Sequence, residues 1–348
     1  MDVFALADFE PLAKATLSPE AWAYYSGGSW DEVTLRENEA AFRRRVLRPR
    51  VLVDVSNIDT ATTLLGARVS MPIGFAPAAL QGLAHPEGEV VPARVAGRTG
   101  LAYVLSTFAS RSIETVAAVG RGLRWFQLYV QEDRRLAERL VHRAAEAGYA
   151  AIVLTADLPR PGHREHERRF PLVDAGPLGN VPAGVAGEEF VDFIGGMIDA
   201  SVGWRDLEWL RSLSPLPLVI KGILTPEDAR LAIEGGAAAV VVSNHGGRQL
   251  DRTSASIDAL EAVVAAVAGR AEVYLDGGVR RGTDVVTALA LGARAVFLGR
   301  PFLYALAAGG EAGVVRAVEM LRAELEAAMA LLGCPTVAAI TRDRVGAA

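Results

Sequence analysis

The sequence predicts an α/β fold, namely a (β/α)8 TIM barrel with an N-terminal helical lead-in and a long loop after strand 4. Eight short apolar runs alternate with stretches of helical periodicity, a pattern typical of parallel strands joined by crossover helices. Polar or charged residues follow every run except the first. The chain has 348 residues, 51% of them apolar, which is enough for one barrel with a large core. We therefore interpret residues 1–348 as a single domain with a lead-in over 1–70, a barrel over about 71–310 and a closing helix over about 313–332.

The predicted elements follow one another in regular order. Residues 3–25 have a helical pattern, and Ser18 with Pro19 is a favourable N-cap and first turn for the second part of this segment. Gly333 is placed to end the closing helix. The predicted strands cover residues 71–76, 101–106, 124–129, 150–155, 217–221, 238–243, 272–276 and 294–299. The predicted helices between them include residues 87–98, 133–147, 226–234, 257–268 and 282–291.

A long stretch between predicted strands 4 and 5 interrupts this order. Residues 159–202 are rich in glycine, contain several prolines and show no clear period. We interpret them as a long active-site loop with some short helix, because irregular insertions in barrels are usually functional. The apolar part of this loop, residues 190–197, fits a helix packed on the barrel better than a segment that touches a membrane.

Composition excludes several classes of protein. The net charge is −5 and no basic block is present, which argues against nucleic acid as the main partner. No apolar run is long enough to span a membrane, and the sequence starts without a signal-peptide pattern. The single cysteine, Cys334, cannot form an intrachain disulfide. We therefore expect a cytoplasmic protein.

The sixth predicted strand leads into a candidate catalytic turn. The apolar run 240–242 stops at Ser243, and two glycines follow His245. His245 and Arg248 therefore leave the end of a buried strand together. Histidine titrates near neutral pH, and arginine presents a fork of donors that matches a carboxylate. A lone histidine in such a turn is more often structural, but a base beside an anion clamp suits a small acid that loses a proton.

The other strand ends carry a matching set of polar groups. Because active sites of barrels lie at the carboxyl ends of the strands, we expect these groups to meet. The residues are Ser106, Gln127, Tyr129, Thr155, Asp157, Lys221, Asp276 and Arg300. Glycines and arginines at 276–282 and 298–300 occupy the corner where barrels often bind phosphate. Neither a G-x-G-x-x-G fingerprint nor a P-loop is present, so the sequence favours a mononucleotide-like ligand.

These motifs resemble those of the FMN-dependent α-hydroxy-acid oxidases and dehydrogenases, the family of glycolate oxidase, lactate oxidase and mandelate dehydrogenase. The signature-like stretch is Ser-Asn-His-Gly-Gly-Arg-Gln at 243–249. Further matching motifs are Ala-Tyr-Tyr at 23–25, Ala-His-Pro-Glu-Gly at 84–88, Trp-Phe-Gln-Leu-Tyr at 125–129, Leu-Thr-Ala-Asp at 154–157, Val-Ile-Lys-Gly at 219–222, Leu-Asp-Gly-Gly-Val-Arg-Arg-Gly at 275–282 and Leu-Gly-Arg-Pro at 298–301. The resemblance covers nearly the whole chain in the expected order.

The resemblance implies a catalytic set. It makes His245 the active-site base, with Asp157 as the carboxylate that stabilises the imidazolium. Arg164 and Arg248 would hold the substrate carboxylate. The residues that would contact the carboxylate, hydroxyl and side chain of the substrate are Tyr24, Ala78, Phe108, Tyr129, Arg164, His245 and Arg248.

FMN is the cofactor that the resemblance implies, and no metal is expected. Lys221 would lie beside the N1 and O2 edge of the flavin, where a cation favours the anionic reduced form. The remaining residues implied to bind FMN are Ala76, Pro77, Ala78, Ser106, Gln127, Thr155, Ser243, Asp276, Gly277, Gly278, Arg280, Gly299 and Arg300.

The expected reaction is oxidation of an L-2-hydroxy acid to the 2-oxo acid, with O2 reoxidising FMN and giving H2O2. Lactate, mandelate and glycolate are the model substrates. The sequence departs from glycolate oxidases at Phe108, where these usually carry tryptophan, and at Pro161 and His163. With the small Ala78, these changes favour an acid with a larger aryl or alkyl side chain. The resemblance also implies a homotetramer or octamer.

Other interpretations stay open or are disfavoured by the sequence. A dehydrogenase of the same family would pass electrons to a quinone or another carrier, and a flavin-binding barrel could do non-redox work. A hydrolase built from Ser243, His245 and Asp157 would need a G-x-S-x-G elbow, which is absent. His163 and His166 have the spacing of a metal pair but no third ligand in sequence.

Overall fold

A computed structural model describes residues 2–182 and 188–347. Eight parallel strands form a closed barrel in which each strand pairs with its neighbours in sequence and the eighth pairs with the first. We number them in chain order as β1 (Ile73–Phe75), β2 (Ala102–Leu105), β3 (Leu123–Leu128), β4 (Ile152–Thr155), β5 (Leu218–Ile223), β6 (Ala239–Val242), β7 (Glu272–Asp276) and β8 (Ala295–Leu298). The predicted (β/α)8 fold is confirmed.

The inside of the barrel consists of an apolar layer below a polar layer. The apolar layer includes Val104, Trp125, Val153, Val219, Val241, Tyr274 and Phe297. A two-stranded hairpin, Thr62–Leu64 with Ala67–Val69, adds Leu64 and Val69 to this core. Side chains of a strand alternate between two faces, so the residue two positions later points inward again. Those residues are the buried Ser106, Gln127, Thr155, Lys221, Ser243 and Asp276, which form the floor of the site.

Eight helices surround the strands, one after each. We number them α1 (Val90–Thr99), α2 (Ile113–Ala117), α3 (Arg134–Glu146), α4 (Asp206–Ser212), α5 (Pro226–Glu234), α6 (Ser256–Val267), α7 (Gly282–Ala290) and α8 (Arg300–Leu332). The predicted closing helix, about 313–332, is only the second part of α8. Helix α8 starts directly after β8 and is broken at Gly310, where φ is 56° and ψ is −139°. It ends at Gly333 in the left-handed conformation, as predicted.

The lead-in contains more regular structure than the sequence indicates. Helices span Phe9–Thr16 and Pro19–Ser26, and the Ser18 hydroxyl accepts a hydrogen bond from the Ala21 amide at 3.2 Å, which confirms the predicted cap. A further helix, Val33–Ala40, was not predicted. The lead-in continues into strand Arg45–Leu47, which pairs with Val345–Ala347.

The loop after β4 contains two short helices, Glu165–Arg169 and Phe190–Met197, as predicted for residues 159–202. Part of that prediction, residues 183–187, lies outside the described residues. Phe190, Val191 and Ile194 are buried against the barrel, so this apolar segment is a packed helix. Within residues 2–182 and 188–347, no helix combines the length and apolar character that crossing a bilayer requires.

Candidate active site

One cavity opens at the carboxyl ends of the strands. It is closed on one side by the lead-in and on another by the loop after β4. The predicted site residues that line it are Tyr24, Ala76, Pro77, Ala78, Ser106, Phe108, Gln127, Tyr129, Thr155, Arg164, Lys221, His245, Arg248, Asp276, Gly277, Gly278, Arg280, Gly299 and Arg300. The two other predicted residues lie behind this lining. Asp157 contacts His245, and Ser243 contacts Lys221.

His245 stands at the turn after β6 with a left-handed backbone, φ 59°. Its Nδ1 lies 2.8 Å from Asp157 Oδ1, and its Nε2 lies 3.5 Å from the Tyr129 hydroxyl. Burial lowers the pKa of the ring below 6.5, and the charges of Lys221 and Arg164 lower it further, while Asp157 opposes them. The ring is therefore neutral at pH 7. An Nδ1–H bonded to Asp157 leaves the Nε2 lone pair free to accept a proton.

Asp157 is ionised although it is buried. Burial raises the pKa of its carboxyl, but the His245 ring and the Lys221 ammonium outweigh burial and leave the pKa below its ordinary value. A fixed carboxylate behind a histidine selects one tautomer and stabilises the imidazolium once a proton has been taken up. Asp157 and His245 thus form an acid–base pair suited to proton abstraction.

Two arginines form a cationic corner next to this pair. The Arg248 Nη1 group donates to the backbone oxygens of Tyr24 (2.5 Å) and Gly27 (3.0 Å), and its guanidinium lies 5.0 Å from the centre of the Tyr24 ring. Arg164 donates through Nε to the Arg248 oxygen at 3.1 Å. Both arginines also contact the buried Glu167 carboxylate. Such a corner can bind a carboxylate through several charge-assisted hydrogen bonds.

Glu167 was missed from sequence. Its only signal is the spacing of three residues from Arg164, which is the N-cap of the short helix Glu165–Arg169 that carries Glu167. Gln249 was also missed, although it is adjacent to Arg248. Its amide donates to the backbone oxygens of Asp157 (2.8 Å) and Arg160 (2.9 Å). Its side-chain oxygen accepts from Gly162 N (3.1 Å) and Arg164 Nη2 (3.3 Å), so Gln249 ties the β6 turn to the loop after β4.

The floor of the cavity presents a row of polar groups along one edge. Ser106 Oγ donates to Gln127 Oε1 at 3.2 Å, and Gln127 Nε2 donates to Thr155 Oγ1 at 3.1 Å. The Lys221 ammonium donates to Ser243 Oγ at 3.0 Å and lies 3.4 Å from Asp276. Burial opposes the charge on Lys221, but Asp276 and Asp157 outweigh burial and raise its pKa. Hydroxyls, an amide and a cation in this order suit the polar edge of a planar heterocycle.

The opposite end of the cavity carries glycines and two arginines. A Cβ built on Gly299 would meet only Ala76, at 4.0 Å, so this position leaves open space in the cavity. Arg300 donates to three backbone oxygens, and burial lowers its pKa to about 10, so it is charged at pH 7. Arg280 forms a 2.7 Å ion pair with Glu39, a residue that no sequence motif singled out. Open backbone beside two guanidiniums fits a phosphate group.

An apolar wall lies over the catalytic pair. Phe108 stacks on Tyr129 with ring centres 5.4 Å apart and meets Phe190 edge-on at 5.9 Å. Leu158 and Ile194 line the same cavity. One cavity therefore contains a proton acceptor, two arginines that can bind a carboxylate, a polar row that suits the edge of a heterocycle, a corner that fits a phosphate, and an apolar wall.

Comparison with known proteins agrees with this geometry. Residues 13–347 match the family model described as FMN-dependent dehydrogenase. The chain belongs to the FMN-dependent dehydrogenase family. Glycolate oxidase 5 of Oryza sativa subsp. japonica is 49% identical over 99% of this chain and 96% of its own length. Glycolate oxidase of Spinacia oleracea is 46% identical over 100% of this chain and 96% of its own length.

Comparison with solved structures gives the same result. Mandelate oxidase with (S)-4-hydroxymandelic acid superposes with a TM-score of 0.95 at 42% identity, over 99% of this chain and 98% of that chain. FMN is the cofactor of this chain. The cavity offers polar groups for the edge of its heterocycle, a cation beside that edge and arginines that fit its phosphate. Glycolate and mandelate are both 2-hydroxy acids. The predictions of family, cofactor and reaction class are confirmed.

Proposed function

We propose that this chain oxidises (S)-2-hydroxy acids with an apolar side chain to 2-oxo acids, and that O2 accepts the two electrons and two protons to give H2O2. The observation that carries this proposal is the pair of His245 with Asp157 at 2.8 Å, beside the arginine corner in the cavity. The named oxidase relatives support O2 as the electron acceptor.

Each residue of the cavity has a definite task in this reaction. Arg164 and Arg248 bind the substrate carboxylate, and the Tyr24 and Tyr129 hydroxyls orient the carboxylate and the substrate hydroxyl. Burial raises the pKa of both phenols, so they remain neutral hydrogen-bond donors. His245 Nε2 accepts the proton, whether it leaves the α-carbon or the hydroxyl. Bound FMN supplies the two-electron acceptor.

The floor and the phosphate corner hold the cofactor in this proposal. Ser106, Gln127 and Thr155 bind the polar edge of the heterocycle, and Lys221 supplies a cation beside it. Ser243 contributes indirectly by accepting a hydrogen bond from Lys221. The backbone at 76–78 lines the same cavity and would lie next to the heterocycle. The residues assigned to the ribityl chain and phosphate are Asp276, Gly277, Gly278, Arg280, Gly299 and Arg300.

The apolar wall favours substrates larger than glycolate. Phe108, Leu158 and Ile194 would contact a side chain on the α-carbon, whereas glycolate has none. Burying an apolar group contributes about 25 cal/mol per Å², so a phenyl or alkyl group gains affinity here. We therefore place mandelate and longer alkyl 2-hydroxy acids before lactate, and lactate before glycolate.

Anaerobic reduction of the bound flavin tests the proposal directly. The purified protein is mixed without oxygen with (S)-mandelate, (S)-lactate, glycolate or a longer 2-hydroxy acid, and the visible absorbance of the flavin is recorded. We expect bleaching, fastest with the acids that have apolar side chains. Rapid return of the colour in air supports the oxidase, whereas slow return that a quinone accelerates identifies a dehydrogenase. If none of the acids bleaches the flavin, the protein is a flavin-binding barrel with a non-redox function.

Removing Arg280 should weaken FMN binding without affecting riboflavin binding. A charge-assisted hydrogen bond to phosphate is worth about 1.5–3 kcal/mol, so Arg280→Ala should raise the Kd for FMN by a factor of about ten to one hundred. Riboflavin lacks the phosphate and should bind as before. Quenching of flavin fluorescence by the apoprotein measures both affinities.

Two further variants control this measurement. Arg281→Ala removes the neighbouring arginine, which pairs with Glu324 and is 50% exposed, and should change neither Kd. Glu39→Gln removes the carboxylate that competes for Arg280 and should tighten FMN binding only. Equal weakening of FMN and riboflavin by Arg280→Ala would contradict a phosphate contact.

The pH dependence should follow the ring of His245. Because burial holds its pKa below 6.5, kcat/KM should be constant around neutrality and fall as the pH drops through that pKa and the base becomes protonated. Asp157 favours the protonated ring, so Asp157→Asn should move the acid limb to lower pH and also reduce the plateau. Steady-state rates from acid to neutral pH measure both effects. An acid limb that Asp157→Asn shifts upward would contradict the assignment.

Domain organisation, assembly and location remain proposals. We propose a single functional domain, since Tyr24 and Glu39 of the lead-in line the barrel cavity. The family resemblance implies a homotetramer or octamer, and the fully exposed Leu52, at 103% relative accessibility, fits a surface that another copy covers. Light scattering of Leu52→Asp should then give a smaller mass.

A cytoplasmic location is supported by the single, buried cysteine, and cell fractionation would test it.

A further inference from the structure

We propose that Glu167 is a positioning residue that sets the charge selectivity of the substrate corner and biases it toward acids with one negative charge. The inference rests on the proposed function, because it assigns Arg164 and Arg248 to the substrate carboxylate. Glu167 does not line the cavity, so it acts on the substrate only through these two arginines.

The carboxylate of Glu167 holds both guanidinium groups. Its side chain is 6% exposed, and Oε1 accepts from Arg248 Nη2 at 2.9 Å and from Arg164 Nη1 at 3.3 Å. Oε2 lies 3.4 Å from the same Arg164 nitrogen. A buried carboxylate that joins two cations fixes their relative orientation, since moving either guanidinium would leave a charge unpaired.

The remaining donors of the two arginines match one carboxylate. A guanidinium has five N–H groups. Arg248 commits three of them, to the Tyr24 and Gly27 oxygens and to Glu167. Arg164 also commits three, to the Arg248 oxygen, Glu167 and Gln249. Counting partners in residues 2–182 and 188–347 only, two N–H groups remain on each arginine, enough for the lone pairs of a single carboxylate group.

The charges of the corner lead to the same conclusion. Burial lowers the pKa of Arg164, and the neighbouring Arg248 lowers it further, whereas Glu167 raises it. Two guanidiniums and one carboxylate give the corner a net charge of +1, which one substrate carboxylate neutralises. Without this carboxylate the charge would be +2, and a second negative charge on the ligand would then be compensated. In a buried site an uncompensated charge is costly, so ligand charge should decide affinity.

Oxalate and oxamate provide a matched pair of probes. They have nearly the same shape, but oxalate carries two negative charges and oxamate carries one. Both bind without turnover, and perturbation of the flavin spectrum reports their Kd values on the holoenzyme. An opposite charge within about 4–6 Å changes the stability of a charged group by a factor of about ten or more. We expect Glu167→Gln to lower the ratio of the oxalate Kd to the oxamate Kd by about tenfold.

Two variants separate charge from structure. Glu165→Gln removes an exposed carboxylate from the same short helix, where it pairs with Arg169, and should leave the ratio unchanged. Glu167→Asp keeps the charge on a shorter side chain, so the absolute affinities should change while the ratio stays at the wild-type value. If Glu167→Gln does not fold, Glu167→Ala removes the same charge and should lower the ratio in the same direction.

The outcomes of the experiment are distinct. Equal weakening of oxalate and oxamate in Glu167→Gln would reduce Glu167 to a structural role and overturn the inference. A shifted ratio in Glu167→Asp would overturn it as well. If wild-type enzyme binds neither probe and no 2-hydroxy acid bleaches the flavin, the proposed function itself fails.

Discussion

Replacing His245 by asparagine should slow reduction of bound FMN by the substrate about 10²- to 10⁴-fold, the usual contribution of a positioned base. Asparagine tolerates the left-handed backbone at this position, φ 59°, and can still contact Asp157, but its amide cannot accept a proton. FMN should be retained, because the residues assigned to hold it lie elsewhere in the cavity. Anaerobic stopped-flow measurement of the flavin absorbance gives the rate.

The matched control for this variant is His142→Asn. His142 is an exposed residue of α3, and its replacement should leave the reduction rate unchanged. Normal bleaching by the His245 variant would remove this residue as the base. In that case the 2.8 Å contact with Asp157 would be a structural hydrogen bond only.

Replacing Arg248 by alanine should lower kcat/KM by about 10²- to 10³-fold, mainly through KM. The change removes a partner of the substrate carboxylate and leaves Glu167 with Arg164 alone, and breaking such a buried charge pair costs about 2–5 kcal/mol. Arg248 also lies over the Tyr24 ring and bonds to the Tyr24 oxygen, so this phenol loses support as well. Steady-state kinetics with (S)-mandelate measure the effect.

The chain offers a close control for this substitution. Arg252, four residues later, is 75% exposed at its side chain and pairs with Asp31 on the surface. Arg252→Ala should leave KM unchanged, because surface ion pairs contribute little. Arg248→Lys should recover only part of the lost activity, since an ammonium cannot reproduce the planar fork of a guanidinium. An unchanged KM in Arg248→Ala would contradict its role in carboxylate binding.

The barrel and the floor of the site could be predicted from sequence because they depend on short-range rules. Parallel strands bring their carboxyl ends to one rim, so polar residues that follow apolar runs must meet there. Lys221 and Gln127 were found in this way, and the cavity contains both. Asp157 and Ser243 also follow strands, but His245 and Lys221, which they contact, stand between them and the cavity.

The parts that could not be predicted depend on loop conformations. Glu167 and Gln249 act through contacts between the β6 turn and the loop after β4, which are far apart in sequence. Glu39 reaches the phosphate corner only because the lead-in helix Val33–Ala40 packs over the barrel. The start of α8 was predicted too late, since Gly310 interrupts the helix after its first turns and the sequence pattern was read from the second part.

The two layers inside the barrel have a consequence for insertions and deletions. Each polar floor residue stands two positions after an apolar one, so parity along the strand decides which face a side chain occupies. Deleting Ile220 would turn the Lys221 ammonium toward the surrounding helices and bring Gly222 to the inward position in its place. Deleting both Val219 and Ile220 would restore the facing of Lys221 but shorten the strand. The cofactor site is thus more sensitive to an odd change of strand length than to most single substitutions in its walls.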